Sequence, residues 1–463
     1  MGIFSKRQNP YDNTDLSFEE LYAKLKKYYE NNDLYRDEQY KAYLTDTRIE
    51  AMKGLRTVVN RSVEFFVSKV LQNPKVSTEN EVTKQAIEKF LKWSNFKANK
   101  SLVIRQLALY GDIFLKINTG NDKIYFTIID PATVTKFKLD NRGYIVEIRI
   151  DVPIVVDERH LTHTEYWTKQ DGYFSIWQHN QGSTVELDQL GDPIEYGALA
   201  ELGIDFVPFV NVKFRDTGNE RGSSCVLHSL DKVDEANRQA TRLHQMLFRW
   251  NKPLWVASAN MVDKEGRPVP APKGKSTEID VTDNSVISMP GMSTLNSLVP
   301  NIQYDAALNI LNAQMAELEA DLPELKYYNL KDQSNVSTKT VKTILASALD
   351  RAGEAQDNLK DGLIRLNEMA LTIGSYFGLW NVGSYEAGDF DHEILCDDFF
   401  SESMDEKVTT LKMLRDSSLG LRTALKLAGF SDDIIEQAVL DAEEEQTKSE
   451  NALANSLARF NGQ

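Results

Sequence analysis

Hydrophobic positions recur at helical spacing in three long stretches of the second half of the chain. Apolar residues three or four positions apart predict a helix over about residues 225–250, close to 40 Å long at about 1.5 Å per residue. A turn-rich insert follows it, and a second helix is predicted over about residues 304–321. The longest pattern covers about residues 337–380. Two helices separated by a small insert with strand-like segments suggest that the helix tips contact another molecule.

The first half of the chain combines helices with short strands. Ser17 and Glu20 match a capping box, and helical periodicity predicts helices over about residues 54–72, 81–93 and 97–110. From Asp112 to Phe214, alternating hydrophobic and polar positions predict short strands separated by turns rich in Gly and Asn. A further strand is predicted at 392–396, and helical hairpins are predicted from Met404 onward. This pattern indicates an α+β fold with an antiparallel sheet region.

Composition and charge narrow the classes of function. The 463 residues carry a formal net charge of −16, from 69 Asp and Glu against 53 Lys and Arg. A protein that grips nucleic acid over a broad surface needs clustered cations to neutralise phosphates, so the charge argues against that class. The negative charge does not exclude a protein along which nucleic acid moves without being bound tightly. The chain starts without the apolar core of a signal peptide and has no apolar run near the roughly 18 residues that span a bilayer, so we expect it to fold in a cytosol, away from membranes.

Candidate catalytic motifs are weak. The GKS tripeptide at 274–276 resembles part of a phosphate-binding loop, but Val269 stands where that loop needs its first glycine. His160 and His163 have an odd spacing in a strand-like segment, so they point to opposite faces and form a poor metal site. No GxSxG, HExxH or Cys/His constellation is present. We therefore expect no enzyme activity, no catalytic or metal site and no cofactor.

The charged faces of the long helices have two interpretations. Such faces are usually solvated surfaces. However, two long helices joined through a tip module cannot bury both of their apolar stripes against each other alone, whereas several copies packed side by side would bury them. The hypothesis is therefore a ring with an acidic inner wall, formed by Glu317, Glu319 and Asp321.

An ordered series of segments resembles the portal proteins of tailed bacteriophages, and in particular the SPP1-like group. The resemblance covers nearly the whole chain. It rests on the segments VVNRSVEFFVSKVLQNPKV, ALYGDIFLKI, IIDPATVTKF, VPFVNVKFRDTGNERGSS, LHSLDKVDEANRQATRL and the stretch that starts with DDFFSESMDEKV. Each piece is a weak pattern, and their shared order makes the match specific.

The resemblance implies a portal-type α+β fold with long stem helices, a small α/β clip, a mixed α/β wing and a helical crown. The implied segments are the wing (1–224), a stem helix (225–250), the clip (251–303), a second stem helix (304–322), the tunnel loop (323–336), a long kinked wing helix (337–381), a wing strand (382–403) and the crown (404–463).

The resemblance also implies a function and a set of partners. The family forms a ring, usually of twelve subunits, at one capsid vertex of the virion, after assembly in the host bacterial cytoplasm. Double-stranded DNA passes through the ring during packaging and ejection. The implied protein partners are the terminase large subunit, the scaffold protein, the major capsid protein and a head-completion or adaptor protein.

Individual residues receive roles from these implied segments. In the predicted tunnel loop, the polar side chains suited to brief contact with DNA phosphates are Lys331, Gln333, Ser334 and Asn335. In the predicted clip, the cations that could meet an acidic partner are Lys264, Arg267, Lys273 and Lys275, although a solvated hairpin loop explains them equally well. Two other functions stay open: a nucleotide-driven DNA-packaging motor subunit, and a helical scaffold or adaptor without a DNA channel.

Overall fold

The computed structural model describes residues 17–30, 57–120, 122–169, 173–180, 185–196, 206–250, 254–259, 264–265, 267, 293–298, 304–330, 337–400, 404–417, 419–430, 434–444, 447–448 and 450. The fold is a mixture of helices and small sheets. The chain divides into two compact units. The first contains residues 1–67, 95–120 and 125–325, and the second contains residues 68–94, 121–124 and 326–463.

The helices follow the predicted periodicity closely in the N-terminal half. Their bounds are α1 (Phe18–Glu30), α2 (Val58–Lys69), α3 (Glu81–Trp93), α4 (Phe96–Tyr110), α5 (Leu230–Trp250), α6 (Tyr304–Asp321), α7 (Lys326–Leu330), α8 (Thr338–Ile344), α9 (Ala346–Tyr376), α10 (Met404–Asp416) and α11 (Leu421–Leu427). Residues 434–444 are also helical. The predicted capping box at α1 is confirmed, because Ser17 Oγ accepts from Glu20 N (3.3 Å) and Glu20 Oε2 accepts from Ser17 N (3.0 Å).

The predicted antiparallel strands are also present. Their bounds are β1 (Lys75–Ser77), β2 (Asp112–Gly120), β3 (Lys123–Ile129), β4 (Val134–Leu139), β5 (Ile145–Val156), β6 (Arg159–Thr168), β7 (Tyr173–Asn180), β8 (Glu195–Tyr196), β9 (Phe209–Lys213), β10 (Leu254–Ala259), β11 (Ser293–Leu298) and β12 (Glu393–Leu395). The strand predicted at 392–396 is confirmed as β12, which pairs with β1.

Two sheets dominate the first unit. Strands β4 to β8 form a five-stranded antiparallel meander in chain order, and a smaller sheet has the order β3-β2-β9. The β5–β6 hairpin turns at Asp157 and Glu158, which both have positive φ (48° and 65°). Positive φ at both central residues matches the twist of a two-residue hairpin turn. The pairing of β5 with β6 continues to Val156.

The core of the first unit forms where the apolar stripe of α2 meets other elements of that unit. Phe66 packs edge-on against Phe214, with ring centroids 5.0 Å apart, and Phe114 packs against Phe137 at 5.1 Å. These rings are fully or almost fully buried. Burial of apolar surface at about 25 cal/mol per Å² is the main stabilising contribution at such positions.

The core of the second unit is centred on α9 and α3. A buried cluster contains Ala86, Ile87, Leu371, Val382 and Phe390, and Trp380 packs against it. Asn80 caps α3 by accepting hydrogen bonds from the backbone N–H groups of Val82 (3.0 Å) and Thr83 (3.4 Å).

Several predicted boundaries are wrong. The first long helix begins at Leu230 rather than near Cys225, because the chain makes a 3-10 turn at Leu227–Ser229 before α5. The long helix predicted over about residues 337–380 is divided at Leu345 (φ −97°, ψ 9°) into α8 and α9, and α9 runs through Gly353 and Gly362 without a break. The Leu345 side chain is fully buried at this break.

Candidate functional site

Helices α5 and α6, which were predicted on either side of the insert, are neighbours in the first unit. The first turn of α5 contacts the last turn of α6, which indicates that the two helices run antiparallel. In α6, Leu311 and Leu318 are buried and lie seven positions apart, which places them on one side of the helix. The chain continues from α5 into β10 and from β11 into α6, and β10 pairs with β11 in antiparallel register. The element order is therefore helix, strand, strand, helix.

A lysine of α5 binds two carboxylates of the predicted acidic wall. Lys232 Nζ lies 2.9 Å from Glu317 Oε1 and 2.6 Å from Asp321 Oδ2. Hydrogen bonds to Asp321 and Glu317 raise the pKa of Lys232. Glu317 and Asp321 are four positions apart, so both face the same side of α6. This three-residue group is called the Lys232 cluster below.

Glu319 is not part of the Lys232 cluster. It lies two positions from Glu317 and from Asp321, which is about 200° around the helix axis. It is half-buried, whereas Glu317 is exposed. The structure therefore brings two of the three predicted acidic residues together and places the third on a different side of α6.

Hydrogen bonds from α1 and α2 reach the N-terminal part of α5 and the turn that follows the C-terminus of α6. Tyr28 Oη donates to Asp234 Oδ2 on α5, and Ser62 Oγ donates to Glu324 Oε1 in the 3-10 turn after α6. Asp234 and Glu324 are buried, at 2% and 0% exposure. A buried carboxylate needs such donors because leaving it without a partner costs about 1–3 kcal/mol or more. The two contacts therefore anchor the first turns of α5 and the 3-10 turn that follows α6.

A close backbone crossing precedes α5. Gly111 has a positive φ of 85°, and a Cβ on Gly222 would lie 2.2 Å from the Gly111 carbonyl oxygen. Only glycine fits such an approach without displacing backbone. Gly222 N also donates to Asp112 Oδ1 (2.9 Å). Ser224 Oγ accepts from Val226 N (3.3 Å) before the 3-10 turn, so it does not cap α5.

A buried charged network adjoins this crossing. Tyr22 Oη donates to Asp112 Oδ2 (2.9 Å), and Arg221 Nη1 contacts Tyr22 Oη at 3.4 Å. Burial raises the pKa of Asp112, and the hydrogen bond from Gly222 N–H opposes that rise. Burial, followed by the nearby Asp112 carboxylate, raises the pKa of Tyr22. The Arg221 guanidinium also lies over aromatic rings, with ring centroids 4.9 Å (Phe18), 5.0 Å (Phe137) and 5.3 Å (Phe114) away.

The described residues of the predicted clip show one local ion pair. Arg267 Nη1 lies 3.5 Å from Glu265 Oε2, and both side chains are highly exposed. The charge of Arg267 therefore has an acidic neighbour that the sequence prediction did not include. Lys264 is exposed, and Lys273 and Lys275 lie outside the described residues. The GKS tripeptide at 274–276 lies outside them as well.

The four candidate residues of the predicted tunnel loop lie outside the described residues: Lys331, Gln333, Ser334 and Asn335. The helices on either side of them are described. Ser337 caps α8 by accepting from Thr340 N at 3.2 Å. Thr338 N donates to Glu406 Oε1 (2.8 Å). Both ends of this segment therefore lead into ordered secondary structure.

Sequence reasoning missed Lys69 as a residue of interest. Lys69 is 8% exposed and lies in the last turn of α2. A signal was present, because Lys69 is seven positions after Ser62 and three after Phe66, both of which face the core. A lysine at such spacing on an apolar stripe points to a buried or snorkelling cation.

Other chemistry is limited in the part of the chain that the structure describes. Within the described ranges, no group of three or more His, Cys, Asp or Glu side chains could hold a metal ion. None of the helices described has the length and apolarity to cross a membrane. Cys225 is buried and Cys396 is half-buried, and neither forms a disulfide.

One family model matches nearly the whole chain. The family model described as "Phage portal protein, SPP1 Gp6-like" matches residues 9–452. No curated protein sequence matches the chain.

Among solved structures, a chain from the virion of a native gene transfer agent (GTA) particle is 11% identical with a TM-score of 0.43, covering 81% of this chain and 90% of that one. A chain from the neck of an empty GTA particle is 10% identical with a TM-score of 0.45, covering 83% and 93% respectively. These values are too low to transfer a function from those particles.

Proposed function

Since the chain belongs to the SPP1 Gp6-like family of phage portal proteins, we propose which of its segments perform the work of a portal. A portal protein of this family is a structural subunit of a ring around a channel, through which double-stranded DNA is packaged and ejected. The match over residues 9–452 is the observation that carries this conclusion.

We propose that α5 and α6 are the stem helices and that the chain between them is the clip. The antiparallel contact of the two helices and the β10–β11 pair between them support this assignment. The wing would then comprise residues 1–224 and 337–403, and the crown residues 404–463. The protein acts in this proposal as part of the capsid of a virion.

The Lys232 cluster refines the proposed acidic wall. One positive and two negative charges leave the cluster with a net charge of −1. A wall of mildly negative clusters repels DNA phosphates without gripping them, whereas many Lys and Arg contacts would hold DNA through release of counterions. The overall charge of −16 is consistent with such a wall.

We assign brief phosphate contact to Lys331, Gln333, Ser334 and Asn335. The test replaces residues 332–335 with a Gly/Ser segment of the same length, so that chain length and loop closure are unchanged. Rings should still form in negative-stain images, while DNA packaging or DNA retention should fall at least several-fold. A variant that packages and retains DNA like the wild type would refute a DNA role for these side chains.

The proposed partners are the terminase large subunit and a head-completion protein at the clip, and the scaffold and major capsid proteins during assembly. Lys264, Arg267, Lys273 and Lys275 are proposed to meet acidic surfaces there. The portal family is structural, and we propose that this chain has no catalytic activity. ATP turnover by the purified protein would instead favour a motor subunit, and the absence of rings at every salt concentration would favour a scaffold or adaptor.

A further inference from the structure

The Lys69 ammonium group lies among Phe399, Phe400 and Tyr327 in the second unit, and these three residues are called the Lys69 cage. Lys69 Nζ donates to the Phe399 carbonyl oxygen at 2.9 Å and lies 3.6 Å from the ring centroid of Phe400. The ring centroid of Tyr327 is 5.3 Å from Lys69 Nζ. Aromatic faces attract a cation because their quadrupole presents negative charge, and the attraction strengthens when water is excluded. One lysine therefore joins α2, α7 and the segment at 399–400.

The ammonium group has little charge compensation in this cage. Burial alone lowers the pKa of Lys69 to about 8, and no described carboxylate shifts it in the other direction. The two acidic residues that directly precede Phe399 have other contacts. Asp397 Oδ2 accepts from Asn73 Nδ2 (2.6 Å), and Asp398 Oδ2 lies 3.7 Å from Lys342 Nζ.

The same segment also holds the helix on the far side of the tunnel loop. Tyr327 of α7 packs against Phe400, with ring centroids 5.9 Å apart. On α8, Thr338 N donates to Glu406 Oε1 (2.8 Å), and Lys342 pairs with Asp398. The helix before residues 331–336 and the helix after them are therefore attached to one short stretch of chain.

We propose that residues 397–400 together with Glu406 form a clamp for α7 and α8, and that Lys69 is the positioning residue that holds this clamp against Tyr327. The clamp determines where the chain enters and leaves the 331–336 segment, and it connects that segment to α10, the first helix of the proposed crown. The inference rests on the proposed function only in giving the segment a role with DNA.

The protonation state of Lys69 gives the stability of the clamp a measurable pH dependence. An exposed lysine has a pKa of 10.5, and Lys69 in the cage has one of about 8. The caged form is therefore disfavoured below pH 8 and gains stability as pH rises from 8 towards 10.5. Linkage between these two pKa values makes the closed clamp about tenfold more favourable at pH 9 than at pH 7, relative to an opening that exposes Lys69.

Hydrogen exchange of assembled rings of the full chain, followed by mass spectrometry, tests the clamp. Protection of peptides covering α7 and α8 is measured at pH 7 and pH 9 and divided by the intrinsic exchange rate at each pH. In the wild type, this protection should rise about tenfold. In Lys69→Met, which has a similar length and no charge, it should be independent of pH. Lys89→Met, which removes an exposed lysine of α3, is the matched control and should behave like the wild type.

Two results would overturn the proposal. One is a Lys69→Met ring in which α7 and α8 keep the wild-type pH dependence. The other is an equal change in protection across α3 and the β1–β12 pair, which would make Lys69 a general stability residue. If Lys69→Met does not assemble into rings, the variant Phe400→Leu is measured instead. The clamp predicts that the protection of α7 falls several-fold in this variant while the protection of α3 is unchanged. Unchanged protection of α7 would refute the clamp.

These outcomes are separate from those of the loop replacement at 332–335. A confirmed clamp combined with normal packaging by the loop variant would leave the clamp intact and remove only the DNA role of the loop.

Discussion

Two glycines in the interior of α9 provide a sharp test of the packing in the second unit. Gly374 lies under the indole of Trp380, and a Cβ added there would be 2.0 Å from Trp380 Cζ2 and 2.1 Å from Cε2. Gly353 has no atom within 4 Å of the same hypothetical Cβ. The substitutions Gly374→Ala and Gly353→Ala are therefore chemically identical and occur in one helix, but they differ in surroundings.

The expected energies have opposite signs. Replacing glycine by alanine inside a helix stabilises by about 1 kcal/mol, and Gly353→Ala should show most of that gain. Gly374→Ala makes the same gain, but the indole must move. Overpacking costs about 1–3 kcal/mol, and the hydrogen bond from Trp380 Nε1 to the Leu371 carbonyl (3.0 Å) adds about 1 kcal/mol if it is lost. The net effect of Gly374→Ala should be a destabilisation of about 1–3 kcal/mol.

Urea unfolding at a fixed protein concentration and assembly state measures both variants, since assembly itself changes apparent stability. The stacked pair Trp93 and Trp380, with ring centroids 6.0 Å apart, should also change its fluorescence in Gly374→Ala and not in Gly353→Ala. Trp380→Leu combined with Gly374→Ala should cost less than the sum of the single changes, because the clash is absent. Equal stability of Gly374→Ala and Gly353→Ala would refute the close approach of Trp380.

Two further predictions concern the first unit and the proposed clip. Tyr22→Phe removes the hydrogen-bond donor to the buried Asp112 and should destabilise the protein by about 1–3 kcal/mol in urea unfolding. The control Tyr125→Phe, at an exposed tyrosine, should change stability by less than about 0.5 kcal/mol. Equal effects of the two substitutions would contradict the buried network around Asp112. Charge reversal at Lys264 and Arg267 should leave rings intact and reduce terminase or adaptor association at low salt, and unchanged association would argue against docking through these cations.

The local elements of this protein were predictable because their signals lie within a few residues of each other. The capping box at Ser17 and Glu20, and the helix at Glu81–Trp93, depend on contacts between residues three or four apart, and both are present as predicted. The family resemblance also depended on the order of short segments, and the family model confirms it. The boundary of α5 was not predictable, since the chain makes a 3-10 turn at Leu227–Ser229 before that helix starts.

The contacts that distinguish individual charged residues depend on long-range packing. Glu317, Glu319 and Asp321 are alike in sequence, and only the position of α5 shows that Lys232 binds two of them and leaves out the third. Lys69 reaches a carbonyl 330 positions away. The sequence by itself determined the helices, the strands and the family, because hydrophobic periodicity and segment order are local or sequential properties. Only the tertiary structure decided which charges are buried and paired, because desolvation depends on neighbours that the chain brings together when it folds.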